Sequence, residues 1–493
     1  MTVKHTVSRR LNLGIVAHVD AGKTSLTERL LADAGVIKSA GSVDKGSTQT
    51  DTDSIERQRG ITISSAVVSF VAGDTQVNIV DTPGHAEFVA EVERALHVLD
   101  GAVLVVSATH GVQSRTRILH RTLARLRIPT LIFLNKIDVA SAGDRNLAAI
   151  TGPLTDRAIA MTSVTDAGTR SASVIRRTEV DPSYRRELLD LLTRDDDALL
   201  ATYLGAPGSI DVQPLMDRLA TQTAAGVYYP VFHGSAITGV GVPELVEGIR
   251  TLLPATNPSD TSGDPFGYAF KTGKDERGVR VTYVRMYSGA LHTRDRLPVS
   301  STISAASERK AKVTELRVFR GGTAPIESQA GSGDIAVVHT VPELRIGDTI
   351  GPGTPFTRPA PEFAPPTLQT VVRPKDRSRR GELSDALQDL AAADPLIDVH
   401  LHGDDDELAV QVYGDIQRQV IQARLANEYG LDVEFSPPQI QYIEKPIGHG
   451  AALEVIGGDH PCLATVGLRV GPSVGKTGVH YEAPVEFAGA LPR

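Results

Sequence analysis

Short apolar runs alternate with helical patterns over residues 11–252. Runs such as LNLGIVA, QVNIVD, AVLVVS and TLIFLN have the length and β-branched content of buried strands, whereas KTSLTERLLADA repeats its apolar positions at helical spacing. Because strands that alternate with helices usually pair in parallel, the pattern predicts a parallel sheet covered by helices. The stretch TISSAVVSF-VAGD-TQVNIV predicts a hairpin that adds an antiparallel edge to this sheet.

Three more domains are predicted after the first one, which we place at residues 1–254. A linker rich in Pro, Gly, Ser and Asp at 253–267 is followed at 268–351 by short alternating runs, which predict a β-barrel. Beyond a proline-rich linker, residues 367–440 have the order strand, helix, hairpin, helix and strand, which predicts a ferredoxin-like domain. Residues 441–493 begin a fourth, incomplete α+β domain. The predicted fold class is therefore multidomain α/β.

The composition narrows the classes of protein. The 493 residues are 41% hydrophobic, enough for several cores, and no run approaches the ~18 apolar residues that span a bilayer. A net charge of −8 argues against a chain that coats nucleic acid, although it does not exclude a local basic face. The single cysteine, Cys462, cannot form an internal disulfide, so we interpret it as an inert small residue of a cytoplasmic protein.

A phosphate-binding motif follows the first predicted strand. The stretch AHVDAGKTS, residues 17–25, fits the pattern G-x-x-x-x-G-K-[ST] except that Ala17 replaces the first glycine. The helix after it would supply an anion cradle of backbone N–H groups, which requires only a small residue at position 17. A second Gly-Lys-Thr, within residues 471–478, has the wrong spacing, contains a proline and precedes a strand-like run, so we interpret it as a turn.

Three more stretches follow strands in the order that a GTPase requires. In DTPGH, Asp81 can hold Mg²⁺ through water and the backbone of Gly84 can reach the γ-phosphate. In NKID, the Asp138 carboxylate can accept two N–H bonds from guanine while Asn135 braces the loop. In GSAITG, the N–H of Ala236 can meet the guanine carbonyl. The four motifs together predict a guanine-nucleotide hydrolase that binds GTP, GDP and Mg²⁺.

The predicted nucleotide contacts come from all four motifs. They are Ala17, His18, Val19, Asp20, Ala21, Gly22, Lys23, Thr24 and Ser25 in the first motif, Asp81, Thr82, Pro83, Gly84 and His85 in the second, Asn135, Lys136 and Asp138 in the third, and Ser235 and Ala236 in the fourth. His18 has a competing interpretation as a residue that only fills its loop.

Longer stretches carry a family resemblance. AHVDAGKTSLTERLL, ERQRGITI, DTPGH and NKID resemble the translational GTPases of the elongation-factor-G group, in which Ala commonly replaces the first glycine of the loop. GSVDKGSTQTD, AEVERALHVLDGAVLVVSATHGVQSRTRIL and YIEKP are more similar to the ribosomal-protection tetracycline-resistance proteins, especially the actinobacterial oxytetracycline-resistance type. The resemblance extends over essentially the whole chain, is strongest over residues 11–140 and is weakest between about 145 and 225.

The resemblance implies roles at the phosphates. Lys23 would neutralise the β- and γ-phosphates. The hydroxyls of Thr24 and Thr62 would hold Mg²⁺ together with Asp81, and Asp20 would lie close to the phosphates.

The resemblance also implies a catalytic histidine and its control. His85 would orient the attacking water, and Val19 and Ile61 would form an apolar gate that keeps the histidine away until the ribosome intervenes. The segment around residues 38–62 would become ordered over GTP and relax after hydrolysis. The implied partners are RNA and proteins of both ribosomal subunits, with tetracycline acted on indirectly by a monomer and no membrane involved.

A basic run interrupts the third domain. It consists of Arg373, Lys375, Arg377, Arg379 and Arg380. This run is equally consistent with a face turned toward ribosomal RNA and with a solvated loop.

The C-terminus departs from the family pattern, because relatives continue past the position of Arg493. Only the loop near His460, Pro461 and Cys462 matches the family's drug-displacing loops. The leading hypothesis is a ribosome-stimulated GTPase that removes tetracycline from the ribosome, although we expect residues 1–493 alone to give little protection. The alternatives are a translocation factor, against which YIEKP argues, and a truncated GTP-dependent ribosome binder without release activity.

Overall fold

A computed structural model describes residues 7–41, 56, 62–63, 65–142, 147–177, 181–205, 212–257, 263–275, 277–301, 309–341, 343–352, 366–394, 397–402, 407–440, 445–455 and 465–472. The chain divides into two compact units, Met1–Pro438 and Gln439–Arg493, and each is described by itself. Among the helices of the described ranges, none has the length and apolar content needed to cross a lipid bilayer.

The first domain is built on a mainly parallel sheet. Its strands in the described ranges are β1 Arg9–Ala17, β2 Ala66–Ala72, β3 Thr75–Asp81, β4 Gly101–Ser107, β5 Thr130–Asn135, β6 Ala158–Ala160, β7 Thr162–Thr165, β8 Ser173–Arg176 and β9 Tyr229–His233. The main sheet has the order β2-β3-β1-β4-β5-β9-β6, and β7 and β8 form a separate hairpin. Strand β2 is antiparallel to β3 while the other neighbours are parallel, so the predicted antiparallel edge is confirmed.

Helices cover both faces of this sheet. They are α1 Lys23–Asp33, α2 Val89–Leu96, α3 Ser114–Arg125, α4 Leu147–Ile150, α5 Pro182–Leu192, α6 Asp197–Gly205, α7 Val212–Ala224 and α8 Val242–Leu252. Leu26 of α1 and Ile249 of α8 pack in one core, whereas Leu119 and Leu123 of α3 pack in a second core. Because the central strands are buried on both faces, their sequences are continuous apolar runs rather than alternating ones.

The second domain is a closed β-barrel. Its strands are β10 Phe266–Lys274, β11 Arg280–Ser288, β12 Ala290–His292, β13 Arg296–Ser301, β14 Arg309–Val318, β15 Gln329–Gly331, β16 Ile335–Val341 and β17 Asp348–Ile350. The barrel closes in the order β10-β11-β16-β14-β13-β17, and β12 pairs with β15 beside it. Val284, Leu316 and Val338 are fully buried in its core.

The start of the barrel corrects the predicted linker at 253–267. Phe266 and Gly267 belong to β10, where Gly267 pairs with Met286 on one side and Ile350 on the other. A Cβ at position 267 would lie 2.7 Å from a methyl group of Val284, so this glycine is required by close packing inside the barrel. The pattern was misleading because a glycine two residues after a proline is typical of a turn as well as of a crowded strand.

The third domain has two helices on one antiparallel sheet. Its elements are β18 Leu368–Pro374, α9 Arg380–Ala393, β19 Val399–His402, β20 Glu407–Val412, α10 Asp415–Tyr429 and β21 Val433–Phe435. The strands have the order β19-β20-β18-β21, with antiparallel neighbours throughout. The first strand therefore lies between the third and the fourth, which is the predicted ferredoxin-like arrangement.

The second compact unit is described only in part. Its strands in the described residues are β22 Gln439–Ile440, β23 Gly450–Glu454 and β24 Val466–Val470. Strands β23 and β24 form an antiparallel hairpin in which Gly450 is opposite Val470. The predicted loop at His460, Pro461 and Cys462 lies outside the described residues, as does most of the predicted turn at 471–478.

A buried carboxylate joins the first domain to the barrel. Arg10 of β1 donates from Nε to Asp334 Oδ1 at 2.9 Å, and Arg320 of the barrel donates to the same oxygen at 2.8 Å. Asp334 is only 2% exposed. Burial opposes its ionisation, but the guanidinium groups of Arg320 and Arg10 outweigh this effect and lower the pKa of Asp334. The carboxylate is therefore charged and shared between two domains.

Removing this carboxylate should weaken the contact between the domains. We expect D334A to destabilise the chain by about 3 kcal/mol, because it leaves two guanidinium groups without their buried partner. The measurement is the urea concentration at the midpoint of the first unfolding transition. As a control, E247A removes a partner of Arg250 that lies in solvent, and it should change little. A D334A chain with the wild-type midpoint would show that the pair does not hold the domains together.

Candidate nucleotide-binding site

The phosphate-binding loop connects a buried strand to a helix. Strand β1 ends at Ala17, which is 3% exposed, and α1 begins at Lys23. Between them Asp20 and Gly22 have positive φ angles of 63° and 93°. At Gly22 a Cβ would lie 2.2 Å from Asn135 Nδ2, so only glycine fits. The loop therefore presents the free N–H groups of the α1 terminus, an arrangement suited to bind an anion.

Charged side chains meet at the start of α1. The Lys23 ammonium lies 2.7 Å from Asp81 Oδ1, and both side chains are almost completely buried. The hydroxyl of Thr27 approaches the same carboxylate at 3.4 Å. Thr82 donates to the carbonyl of Ile15 at 3.1 Å and thereby ties the end of β3 to β1. The first two predicted motifs are thus brought together around one cation and one carboxylate.

His85 precedes a short 3-10 turn, Ala86–Phe88, and lies four residues after Asp81 in the chain. Its Nδ1 accepts a hydrogen bond from the N–H of Glu87 at 3.3 Å. A ring that accepts at Nδ1 carries its proton at Nε2 and can donate it to the oxygen of a water molecule. The preceding residue, Gly84, approaches the phosphate loop, since a Cβ on it would lie 3.8 Å from the carbonyl oxygen of Ala17. Pro83 before it is buried.

The third and fourth motifs meet through one amide. Asn135 Nδ2 donates to the carbonyl of Ala21 at 2.8 Å, and Asn135 Oδ1 accepts from the N–H of Ala236 at 2.9 Å. The N–H of Ile137 donates to the carbonyl of Gly234 at 3.3 Å. Asn135 therefore bridges the phosphate loop and the GSAITG loop.

The other base-recognition residues lie along the same two loops. Lys136 has a positive φ of 69°, and its Cε would lie 3.9 Å from a Cβ on Gly22, so its stem lies beside the phosphate loop. Asp138 is half-buried two residues further on. Ser235 is 1% exposed, and its hydroxyl accepts from the N–H of Thr238 at 3.2 Å, which closes the GSAITG turn.

Ala236 makes a contact within the protein that was not predicted, and its contact with guanine stays a prediction. Its N–H was expected to meet the guanine carbonyl, but in the structure it donates to Asn135. The local spacing of GSAITG could not reveal this bond, because the acceptor lies 101 positions earlier in the chain. Contact with the base through this N–H would require the bond to be shared.

For His18 the structure agrees with the interpretation of a residue that fills its loop, and its contact with the nucleotide stays a prediction. The ring is 2% exposed, and its Nδ1 shares a hydrogen bond with Thr116 Oγ1 at 2.9 Å. Burial, followed by the neighbouring charges of His110 and Lys136, lowers the pKa of His18 to about 4. The side chain is neutral at neutral pH and joins the phosphate loop to α3.

For several predicted residues the structure shows only how exposed their side chains are. Val19 is 46% exposed, whereas Ile61, its predicted partner in the apolar gate, lies outside the described residues. Thr62 is 8% exposed, and Thr24 and Ser25 are half-buried at the start of α1. The gate therefore stays a prediction.

Sequence reasoning missed Arg29 of α1. Its Nε donates to the carbonyl of Ala236 at 3.1 Å, and a terminal nitrogen donates to the carbonyl of Ile237. Gly239, with φ 84°, lies against the guanidinium group, where a Cβ would be 3.3 Å from Cζ. Helix α1 thus supports the phosphate loop at one end and, through Arg29, the GSAITG loop at residues 234–239, which we call the base-recognition loop. The helical pattern contained no signal for this contact, because its partners lie more than 200 positions away.

Comparison with known proteins agrees with this arrangement. Residues 8–255 match the family described as "Elongation factor Tu GTP binding domain", and residues 363–437 match "Elongation Factor G, domain III". A solved structure from Thermus thermophilus superposes with a TM-score of 0.74 at 25% identity, over 94% of this chain and 73% of that chain. The fold and the site therefore define an elongation-factor-type GTPase domain followed by further translation-factor domains.

Two curated relatives narrow the class. The chain is 47% identical to the oxytetracycline resistance protein of Streptomyces rimosus, over 90% of this chain and 67% of the relative. It is 44% identical to the tetracycline resistance protein TetM of Streptomyces lividans, over 98% of this chain and 75% of the relative. The chain belongs to the family of these tetracycline resistance proteins, within the translational GTPases.

Arg29 should control the affinity for the nucleotide. We expect R29M to raise the dissociation constants for GTP and GDP about tenfold, because the base-recognition loop loses two charge-assisted hydrogen bonds. Hydrolysis at saturating GTP should stay unchanged, since Arg29 touches neither the phosphates nor His85.

The measurement is fluorescence titration with a labelled guanine nucleotide. Lysine at this position keeps the charge but satisfies one carbonyl only, so R29K should fall between R29M and wild type. D33N serves as the control, because Asp33 pairs with Arg29 at 3.5 Å within the helix and is not one of the acceptors in the base-recognition loop. Wild-type affinity in R29M would refute the assignment.

Proposed function

We propose that this chain binds GTP with Mg²⁺, hydrolyses GTP on the ribosome and thereby releases tetracycline from the ribosome. The observation that carries the proposal is the convergence of Lys23, Asp81 and the His85 turn on one phosphate loop, which Asn135 joins to a base-recognition loop. The relatives are named tetracycline resistance proteins, which supports the ribosomal, drug-releasing form of the activity.

The residues around Lys23 fit a magnesium nucleotide. Mg²⁺ prefers oxygen ligands and is usually held by one or two protein groups together with phosphates. The hydroxyl of Thr24 and the carboxylate of Asp81 would supply such oxygens, and Thr62 would add a second hydroxyl. The ammonium of Lys23, the first residue of α1, lies 2.7 Å from this carboxylate and would neutralise charge on the β- and γ-phosphates. Bound Mg²⁺ supplies further charge neutralisation there.

Hydrolysis would depend on the turn that carries His85. Phosphoryl transfer to water needs little covalent chemistry from the protein, so the main tasks are positioning and charge stabilisation. The ring nitrogen Nε2 is the free donor of His85, since Nδ1 accepts from Glu87. His85 would orient water toward the γ-phosphate, and the backbone of Gly84 would contact that phosphate.

Base specificity is expected to reside in Asp138. In D138N one carboxylate oxygen is replaced by an NH₂ donor, which would repel the 2-amino group of guanine and pair with the 2-oxo group of xanthine, so preference should move from GTP toward xanthosine triphosphate. The physical reason is that a site built for particular hydrogen bonds rejects analogues that leave its polar groups unpaired. Competition between the two nucleotides measures the shift. A D138N chain that still prefers GTP as strongly as wild type would remove Asp138 from base recognition.

The function itself is tested by in vitro translation at an inhibitory tetracycline concentration. Restored synthesis with the chain and GTP would place the drug-releasing contact within residues 1–493, whereas the expectation of little protection from these residues predicts no rescue. Where the chain does restore synthesis, H85A should restore little while binding GTP with normal affinity, because orientation of a water molecule acts in the transition state.

Two outcomes separate the hypotheses. GTP-dependent ribosome binding without any restored synthesis would favour the truncated ribosome binder over the drug-releasing GTPase. Full ribosome-stimulated hydrolysis by H85A would show that the histidine only shapes its turn.

A further inference from the structure

The basic run of the third domain is largely neutralised by its own surface. Arg373 pairs with Glu407, Lys375 lies 2.7 Å from Asp432, and Arg379 lies 2.7 Å from Glu382. Each cation would have to give up a carboxylate before it could bind a phosphate. Of the two interpretations of this run, the structure favours a solvated and paired surface, which extends from the end of β18 through a turn to the first residue of α9.

Helix α3 presents arginines in a different setting. Arg117 and Arg121 are one turn apart and exposed, and their Cα atoms are about 6 Å apart along the helix axis. Arg127 is exposed just beyond the helix end. Within the described part of the chain no carboxylate lies within 4 Å of these three guanidinium groups, and the sequence of α3, SRTRILHRTLAR, contains no acidic residue. We call Arg117 and Arg121 the α3 arginine face.

This face begins beside the nucleotide loop. Thr116, the residue before Arg117, holds the ring of His18 at 2.9 Å, so the first turn of α3 is joined to the phosphate loop. Burial keeps the His18 ring neutral, so the exposed positive charge in this region comes from the arginines and not from the ring. A partner bound to the first turn of α3 would therefore also contact the edge of the nucleotide site.

The charge balance of the chain favours a nucleic-acid partner for this face. With a net charge of −8 the chain as a whole is repelled by RNA, so it can approach RNA only through a local positive region. Guanidinium groups form paired hydrogen bonds to phosphate oxygens, which lysine cannot match. Two arginines one helical turn apart can therefore contact successive phosphates of one strand.

We propose that the α3 arginine face binds the phosphate backbone of ribosomal RNA next to the nucleotide site. The inference rests on the proposed function, because it requires that the chain binds ribosomes. Its chemistry is sequence-independent, since phosphate contacts fix position and orientation rather than read bases.

The test compares R117Q/R121Q with wild type in binding to ribosomes, at several salt concentrations, with a non-hydrolysable GTP analogue. Glutamine keeps a polar side chain of similar helix propensity but removes the charge. The variant should bind about tenfold more weakly at low salt. The plot of log K against log salt should also become less steep by about 1 to 2, because binding with fewer phosphate contacts releases fewer counterions. Affinity for the GTP analogue without ribosomes should be unchanged, which verifies the fold and the nucleotide site.

The matched control is R373Q/R379Q, which removes two exposed arginines that already have carboxylate partners and should leave ribosome binding unchanged. A second arm repeats the comparison with protein-free ribosomal RNA. A loss seen with ribosomes and absent with RNA alone would assign the face to an acidic protein and overturn the proposal, as would wild-type affinity in R117Q/R121Q. Failure of the wild-type chain to bind ribosomes at all would instead overturn the proposed function.

Discussion

The side-chain amide of Asn135 is the contact on which the candidate site depends. One planar group, 2% exposed, donates to Ala21 at 2.8 Å and accepts from Ala236 at 2.9 Å, so it fixes the distance between the phosphate loop and the base-recognition loop. The bond exists because Gly22 has no side chain at the point where Nδ2 approaches. Loss of either partner would leave a buried polar group unpaired, at a cost of about 1–3 kcal/mol. Arg29 then holds the far side of the base-recognition loop, so both loops are supported by α1 and its neighbours.

The arrangement of the elements was largely predictable from the chain, because it follows from local signals. The buried runs of the first domain, the hairpin before QVNIVD and the helix-strand order of residues 367–440 all recur in the structure. Boundaries were less predictable. At Phe266 and Gly267 the residues that resemble a linker are strand residues, since barrel closure and packing against Val284 decide their conformation.

The residues that form the site were predictable from the sequence, but the hydrogen bonds between them were not. The motifs name Lys23, Asp81 and Asn135, and the structure brings these residues together. The contacts of His18 and Ala236 depend on partners about a hundred positions away, which no local spacing records. Both residues serve the internal support of the loops in the structure. Motif spacing shows which loops form a site, whereas long-range packing decides which atoms remain available to a ligand.

The turn that carries His85 is held from two domains, which limits how it can move. Glu87 of this turn donates its N–H to His85, and its carboxylate accepts from the N–H of Gln417 in α10 at 2.7 Å. Phe88 packs with Ile63 of the first domain and Val420 of α10 in one small apolar cluster. A side chain at position 414 would collide with the Glu87 carboxylate, so the glycine there permits the close approach. The orientation of the histidine therefore depends on how the third domain packs against the first, as well as on strand β3, which precedes the turn.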